Sequence, residues 1–500
     1  MENNSTAKRL AKNTVYMYLR MALLMLISLY TSRVVLRELG VEDYGVYSLV
    51  GSIVAIFSSL RGLFASSTQR FLNYEMGRKA DEKLKVVFNM SVVINLIIAF
   101  IFVVGVEIVG YWFFENKINI DPTRLYAAKW VFQFSVLTVV LSILATPFDA
   151  LIIAHEKMNF YAILSIAEGI MKLVVVFALA LTSYDKLIFY GFLHVVVSIV
   201  VILCNCVYCR CKFPESRFSN KWDRVYFKQM STFAGWNFLG NTAYSLTQSG
   251  LNMVLNVFGG PIVNAARGIA YQIQTISNTF MTNVNIVVNP YFIKTYAAGN
   301  SRRVFSFMYM ATKIFYSIQL CITIVICYNC KDILTLWLGQ VPEYTVVFTI
   351  IILTNCLIRS IHYPIDSLFK AVGNLKRYQL YEGVILSLPL VFSYLLLKSG
   401  FEYYWVFLLI VIFEVVNFCT ISLLAMRIAS LPLWDYVKNA ILPCVLTLAI
   451  AVVMFLICSI CGSILSRIAI TVISILIEII VMWTIGLSAD ERKEILSIIK

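Results

Sequence analysis

Long, nearly uninterrupted runs of apolar residues constrain this chain more than any other feature. A helix needs about 20 apolar residues to cross the hydrocarbon core of a bilayer, and the 500-residue chain contains about fourteen such runs. Hydrophobic residues make up 60% of the chain and charged residues 14%, whereas soluble domains average roughly 45–50% and 25%. The sequence therefore excludes a soluble or disordered protein and predicts an all-α polytopic membrane protein with about 14 transmembrane helices.

The segments between the predicted helices are short, and none is long enough for an extramembrane domain. The sequence also contains no Walker A motif, no G-x-S-x-G and no H-E-x-x-H. We therefore expect no enzyme, no catalytic residue and no resident cofactor. The spacing of Cys204, Cys206, Cys209 and Cys211 could suit zinc, but no second cluster or nearby histidine accompanies them, so no metal site is predicted.

Lysine and arginine are distributed unevenly between the two sets of loops. The N-terminus, the even-numbered loops and the C-terminal tail hold 26 of the 41 basic residues, and the opposite loops hold ten. Because basic loops stay on the cytoplasmic side, both termini are expected in the cytoplasm. The same bias accounts for much of the net charge of +14, so the predicted partners include membrane lipids and exclude nucleic acid.

The chain repeats itself. The motif P-x-D-x-L-x-x-A occurs at residues 147–154 and again, 217 residues later, at residues 364–371. Six predicted helices separate the copies, so both copies have the same orientation, as in transporters built from parallel repeats that work by alternating access. We predict two six-helix bundles around a central cavity. The expected domains are bundles at 1–209 and 229–426, a basic cytoplasmic linker at 210–228, and two further helices with a tail at 427–500.

Polar side chains form a continuous face along the predicted helices at about residues 229–257 and 263–292, because they recur every three or four positions. Two interpretations are open: hydrogen bonding between helices, or a hydrated substrate cavity. Faces that run the length of two adjacent helices favour the cavity. The candidate cavity residues include two arginines of the first two helices and are Arg20, Arg61, Asn237, Asn241, Tyr244, Gln248, Asn252, Asn256, Arg267, Gln274, Asn278 and Asn285. Amides suit sugar hydroxyls, and arginines suit phosphate.

Other charges fall within apolar segments. Arg359, His362 and Asp366 lie three and four residues apart on one predicted helix, which makes them candidates for a gate or for ion coupling. Asp366 lies near a helix end, where capping a loop is an alternative role. Glu168 and Lys172 are four residues apart with the acid first, which favours an ion pair. Glu414 and Glu478 are given no role, although both are intramembrane acids.

The junction between the first two predicted helices reads RVVLRELGVEDYGVYS at residues 33–48. This junction resembles that of bacterial polysaccharide flippases, the Wzx-type transporters of O-antigen and capsule repeat units. These proteins belong to the multidrug/oligosaccharidyl-lipid/polysaccharide exporter superfamily. The two copies of the P-x-D-x-L-x-x-A motif resemble corresponding helix ends of the same family, and the fourteen-helix plan covers the whole chain.

The resemblance implies a multi-pass transporter of the bacterial inner membrane that flips oligosaccharide linked to undecaprenyl pyrophosphate. In such proteins helices 1, 2, 7 and 8 line the cavity, and cavity arginines are proposed to meet the pyrophosphate. Arg20, Arg61 and Arg267 are the candidates here. The resemblance further implies coupling to a proton or sodium gradient and contact with other polysaccharide-assembly proteins.

Two competing functions remain open. A cation-coupled multidrug or small-molecule antiporter of the same superfamily is expected to have a more acidic cavity, whereas the excess charge on helices 1, 2, 7 and 8 is basic. A membrane polysaccharide polymerase or ligase is expected to carry a large external loop, which this chain lacks. The flippase is therefore the favoured prediction.

Overall fold

The computed structural model describes residues 12–28, 60–116, 122–179, 181–217, 222–338, 340–460 and 463–493, together with short pieces between residues 30 and 47. Within these ranges the ordered elements are helices, and no strand occurs. The prediction of an all-α polytopic membrane protein is therefore confirmed.

The helices follow one another with short connections. The first helix, α1, is described over residues 12–28. The others are α2 Leu60–Gly77, α3 Asp81–Asn116, α4 Pro122–Ala154, α5 Met158–Leu179, α6 Lys186–Lys212, α7 Arg224–Ala297, α8 Ser301–Tyr328, α9 Cys330–Leu338, α10 Thr345–Val372, α11 Leu375–Lys398, α12 Tyr404–Ala429, α13 Leu433–Tyr436, α14 Leu442–Ile460 and α15 Ile464–Val481. Short π-helical turns, Val437–Ile441 and Met482–Gly486, precede α14 and follow α15.

Ten helices in the described ranges are long and apolar enough to cross a membrane. They match ten of the fourteen predicted spans. The other four predicted spans are the polar-faced helices. The first two lie partly outside the described residues, and the seventh and eighth are joined in α7, whose many amides lower its mean hydropathy. The low hydropathy of α7 therefore follows from its polar face.

The structure differs from the prediction around Gly260. Two helices separated by a loop were expected between residues 229 and 292, whereas α7 is continuous over 74 residues apart from a break at Gly260, with φ 67° and ψ −164°. Side chains exclude this backbone conformation for other residues, and Pro261 then starts the second half, as proline does at a helix N-terminus. A one-residue break thus replaces the loop. The short helix α9 was also not predicted.

The chain forms two compact units, Lys12–Gly235 and Trp236–Lys500. In the first unit α4 packs against α6, α2 and α3, and in the second unit α10 packs against α8 and α12. The two last long helices, α14 and α15, pack on α8 within the second unit through an apolar cluster that includes Leu320, Ile324 and Leu334. The sequence-based domain bounds stay a prediction.

Charged residues of the junction motif tie together three segments of the first unit. Arg124, at the start of α4, forms an ion pair with Asp43 of the junction and a second one, at 2.7 Å, with Asp185, which caps the N-terminus of α6. Lys186 at the start of α6 pairs with Glu38 at 3.3 Å. Hydrogen bonds from Arg37 and Lys186 hold the pKa of Glu38 below its usual value. The motif therefore joins the α1–α2 junction to the first turns of α4 and α6.

Candidate functional site

A polar cavity of about 560 Å³ lies inside the first unit. Helices α1, α4, α5 and α6 enclose it. Several of its polar groups are paired with each other: Lys172 with Glu168 at 2.6 Å, and Asn205 with Asp149 at 3.0 Å. The charged and aromatic side chains that line it are Arg20, Tyr47, Asp149, Tyr161, Glu168, Lys172 and Tyr190.

Arg20 differs from these paired groups. Its guanidinium lies over the ring of Tyr161, 4.9 Å from the ring centroid. Its Nε is buried without a hydrogen-bond partner. In the part of the chain that the structure describes, Arg20 makes no ion pair with a carboxylate. A guanidinium whose donors are not used by a carboxylate is suited to an anionic ligand that enters the cavity.

A second polar cavity, of about 330 Å³, lies inside the second unit and is enclosed by α7, α10 and α11. It brings together seven residues predicted from the sequence, four from the substrate face and three from the candidate gate. These are Asn237, Asn241, Tyr244, Asn278, Arg359, His362 and Asp366. Thr282, Lys370, Tyr378, Gln379 and Glu382 also line it.

Arg359 lies at the centre of the charged groups of this second cavity. Its Nη1 is 3.4 Å from Glu414 of α12, and its Nη2 is 3.6 Å from Glu382 of α11. The Nδ1 of His362 is 3.7 Å from the same Glu414 carboxylate. Asp366 pairs separately with Lys370 at 2.6 Å. The predicted trio on α10 is therefore split between two ion-pair groups.

The two cavities are built from equivalent positions of the repeat. The offset of 217 residues that relates the two motif copies also relates the cavity-lining residues and the helices that carry them. Both α4 and α10 contain an internal proline at the equivalent place, Pro147 and Pro364, where a backbone hydrogen bond is lost. The equivalent lining positions include Arg20 and Asn237, Ser142 and Arg359, Asp149 and Asp366, and Tyr161 and Tyr378.

Arg267 is held by the protein itself. It donates to the Asn252 side chain and to the Gln248 carbonyl, both at 2.9 Å, and lies over the Tyr271 ring at 4.2 Å. These bonds join the half of α7 before Gly260 to the half after it. Over this stretch the polar face follows the first of the two interpretations, hydrogen bonding between helices. Gln248 and Gln274 line a small third cavity nearby, beside Asn355.

The remaining predicted residues lie elsewhere. Asn285 accepts a hydrogen bond from Ser367 at 3.3 Å. Asn256 is exposed on α7 near the break. Arg61 lies on α2, and its side chain is outside the described residues. The structure adds Glu382 and Glu414, which sequence reasoning did not place in the site because each is a lone acid on its own helix.

The structure is similar to solved transporters of one fold. It matches a crystal structure of MATE in the straight conformation with a TM-score of 0.72 at 15% identity, over 85% of this chain and 97% of that one. It matches an outward-facing multidrug resistance MATE family transporter of the MOP superfamily with a TM-score of 0.74 at 13% identity, over 86% and 99%. A third match is a MOP superfamily transporter from Pyrococcus furiosus, with a TM-score of 0.70 at 16% identity, over 85% and 96%.

Fold and helical composition thus define a multi-pass membrane protein with the fold of the MATE transporters. The family described as "Polysaccharide biosynthesis protein" matches residues 10–296, which is more than half of the chain. The chain belongs to this family, and the family and fold together are those of a transporter of the MOP superfamily. No curated protein matches the chain.

Proposed function

We propose that the protein flips lipid-linked oligosaccharide repeat units, carried on undecaprenyl pyrophosphate, across the bacterial inner membrane for cell-surface polysaccharide export. The observation that carries the proposal is Arg20, an arginine that has no carboxylate partner among the described residues and lines a polar cavity in a chain from a polysaccharide biosynthesis family. Transport by alternating access, with both termini in the cytoplasm, is part of the proposal.

Each unit contains side chains whose chemistry suits one part of such a substrate. Arg20 supplies a planar set of donors for a phosphate oxygen. Asn237, Asn241 and Asn278 offer amides that suit sugar hydroxyls, while the lipid tail stays in the bilayer. Arg267 is a weaker candidate for pyrophosphate than the sequence suggested, because its donors already bind Gln248 and Asn252. Arg61 stays a candidate.

A cation-coupled multidrug or small-molecule antiporter is the second candidate function. One observation favours it: two carboxylates, Glu382 and Glu414, share the single guanidinium of Arg359. An excess acid in a membrane cavity attracts a cation, and some of the structural matches are multidrug transporters by description. Arg20 in the first cavity opposes this interpretation, because its positive charge repels cationic compounds.

Transport in proteoliposomes tests the proposal. The protein is reconstituted with a fluorescent lipid-pyrophosphate oligosaccharide, and the labelled lipid that becomes accessible to a membrane-impermeant quencher is followed. We expect Arg20→Ala to lower the flipping rate by at least about tenfold, the loss of one charge-assisted contact of roughly 1.5–3 kcal/mol. Arg20→Lys should recover only part of the rate, because a point charge lacks the fork of two donors.

Arg427→Ala is the matched control, because Arg427 is an exposed arginine of α12 away from both cavities. Its flipping rate should equal that of the wild type. Wild-type protein that transports cationic dyes but leaves the lipid-linked oligosaccharide in place would favour the antiporter instead.

A further inference from the structure

Arg359 and Glu382 both line the second cavity, whereas Glu414 is not among the residues that line it. About 30% of the Arg359 side chain is exposed, compared with 3% for Glu414 and 13% for Glu382. Its contacts with the two carboxylates, 3.4 and 3.6 Å, are long for charge-assisted hydrogen bonds. The ring of Tyr244 lies beneath it at 5.5 Å. Arg359 is thus placed to meet a ligand but is partly neutralised by acids.

The charges around Arg359 do not balance. Two carboxylates face one guanidinium, while Asp366 and Lys370 neutralise each other in a separate pair. With a neutral imidazole, the cluster of Arg359, Glu382, Glu414 and His362 carries one excess negative charge. A net charge inside a membrane protein is costly unless it is compensated. Uptake of one proton therefore makes the cluster neutral, and uptake of a second gives it one positive charge.

His362 can accept such a charge. Its side chain is 4% exposed, and both ring nitrogens are without a hydrogen-bond partner. Its Nδ1 is 3.7 Å from Glu414. Imidazole is the side chain whose charge changes between about pH 5 and 8. A proton on His362 would pair with Glu414, which now pairs with Arg359.

We propose that the second cavity is a proton-gated oxyanion site, in which protons taken up by His362, Glu414 and Glu382 release Arg359 to bind a phosphate-type anion of the substrate. Without added protons the acids occupy Arg359, and an anion is repelled by the excess negative charge. With His362 and one carboxyl protonated, the cluster carries one positive charge, which an anion then neutralises. That the anion is part of a lipid-linked saccharide rests on the proposed function. The coupling between proton uptake and anion binding does not.

The ionisable groups around Arg359 come from four helices. Tyr244 faces it from α7, and Glu414 faces it from α12. The groups of α10 and α11 are Cys356, His362, Tyr363, Asp366, Lys370, Tyr378 and Glu382. Tyrosine hydroxyls and cysteine thiols are neutral between about pH 5 and 8, so the proton uptake is assigned to the histidine and the two glutamates.

The linkage is reciprocal: if protons favour the anion, the anion favours proton uptake by the same factor. The probe is sulfate, a tetrahedral oxyanion that does not itself titrate between about pH 5 and 8. Full-length protein with Arg20→Gln, which removes the arginine of the first cavity, is purified in detergent. Sulfate binding is measured by calorimetry at several pH values and in two buffers of different ionisation enthalpy.

We expect sulfate to bind more tightly by about tenfold for each unit of decreasing pH per linked proton, with uptake of at least one proton on binding. Arg359→Gln should abolish this binding. Glu414→Gln and His362→Gln should each flatten the pH dependence. Arg427→Gln is the control for a cation outside the cavity and should leave both quantities unchanged.

Three results would overturn the proposal: no sulfate binding in the Arg20→Gln protein, binding that does not depend on pH, or a pH dependence that survives in both His362→Gln and Glu414→Gln. The first two results are measured on the Arg20→Gln protein itself, so they can be obtained even if a further variant does not fold. Linked sulfate binding in a protein that fails to flip lipid-linked oligosaccharide would reject the proposed function and leave this inference standing.

Discussion

At the scale of single residues, the two cavities pair an arginine with an aromatic ring in different ways. Arg20 over Tyr161 has no carboxylate partner among the described residues, whereas Arg359 over Tyr244 is shared by two acids. Their positions are not equivalent in the repeat, because Arg20 corresponds to Asn237 and Arg359 to Ser142. Each unit therefore has a cavity at equivalent positions of the repeat, but the cavity arginine lies on a different helix in each, α1 for Arg20 and α10 for Arg359.

Cysteine labelling tests the predicted wet face of α7. The twelve native cysteines are removed, and single cysteines are then introduced. Asn241→Cys should react with a water-soluble maleimide, because Asn241 lines the second cavity. Leu239→Cys should stay unlabelled although Leu239 is 56% exposed, because positions two apart lie on nearly opposite helix faces and an exposed leucine there faces lipid. Equal labelling of both would contradict α7 as a membrane helix with one wet face.

At the scale of elements, the ends of helices are fixed by a few ion pairs and backbone conformations. In the first unit Arg124 joins the α1–α2 junction to α6 through Asp43 and Asp185. In α7 the break at Gly260 folds one long helix into two halves that Arg267 then joins. Helical periodicity predicts which face of a helix is buried, but it does not predict the contacts or the backbone conformation at a helix end. Neither feature could therefore be predicted from it.

Loss of the Arg124 ion pairs should destabilise the first unit. Arg124→Ala leaves Asp43, 10% exposed, without its cation, and we expect a loss of about 1–3 kcal/mol, below the range for fully buried pairs because Arg124 is part-exposed. Thermal unfolding of the detergent-solubilised protein measures the change. Lys129→Ala, an exposed cation on the same helix, is the control. Equal melting temperatures for the two variants would show that the pairs contribute nothing.

The break in α7 depends on the backbone of Gly260. A Cβ at this position would meet no atom within 4 Å, so any cost of Gly260→Ala comes from its positive φ. We expect a loss of about 1–3 kcal/mol in stability. Gly268→Ala is the matched control, because a Cβ there also meets nothing within 4 Å and the residue is helical; alanine should be neutral or stabilise by up to about 1 kcal/mol. A tolerated Gly260→Ala would mean that the break is not required.

At the scale of the whole molecule, alternate loops gather at opposite ends of the first unit. Glu38, Asp43, Arg124 and Asp185 meet at one end. At the other end the His155 ring stacks on Phe213 and pairs with Glu215, while burial of that carboxyl is outweighed by its hydrogen bonds, which lower the pKa of Glu215. Basic loops predict that the second end is cytoplasmic.

Reporter fusions test this orientation. Alkaline phosphatase fused after Lys117 or Lys331 should be active, because both positions lie in loops predicted to be external, and a fusion after Lys500 should be inactive. A cytoplasmic reporter, such as green fluorescent protein, should show the opposite pattern at the same three sites. External activity at Lys500 would reverse the predicted orientation.

Much of the architecture was determined by the sequence. Apolar runs of sufficient length predict membrane helices because the bilayer core leaves the backbone no other hydrogen-bond partners. The repeat at 217 residues predicts equivalent helices, and the structure confirms that equivalent positions line a cavity in each unit. Helical spacing placed Asn237, Asn241 and Tyr244 on one face, and these three residues line the same cavity.

Only the tertiary structure decided which charges meet. Helical periodicity orients a side chain about its own axis, but it does not say which neighbouring helix packs against that side. The partners of Arg359 come from α11 and α12, far along the chain, and Arg267 is bound by amides of its own folded-back helix. The sequence could therefore identify the arginines, whereas packing between helices determined their partners. Among the described residues, Arg20 lies over an aromatic ring and pairs with no carboxylate. Arg267 is hydrogen-bonded by amide groups, and Arg359 is paired with two acids.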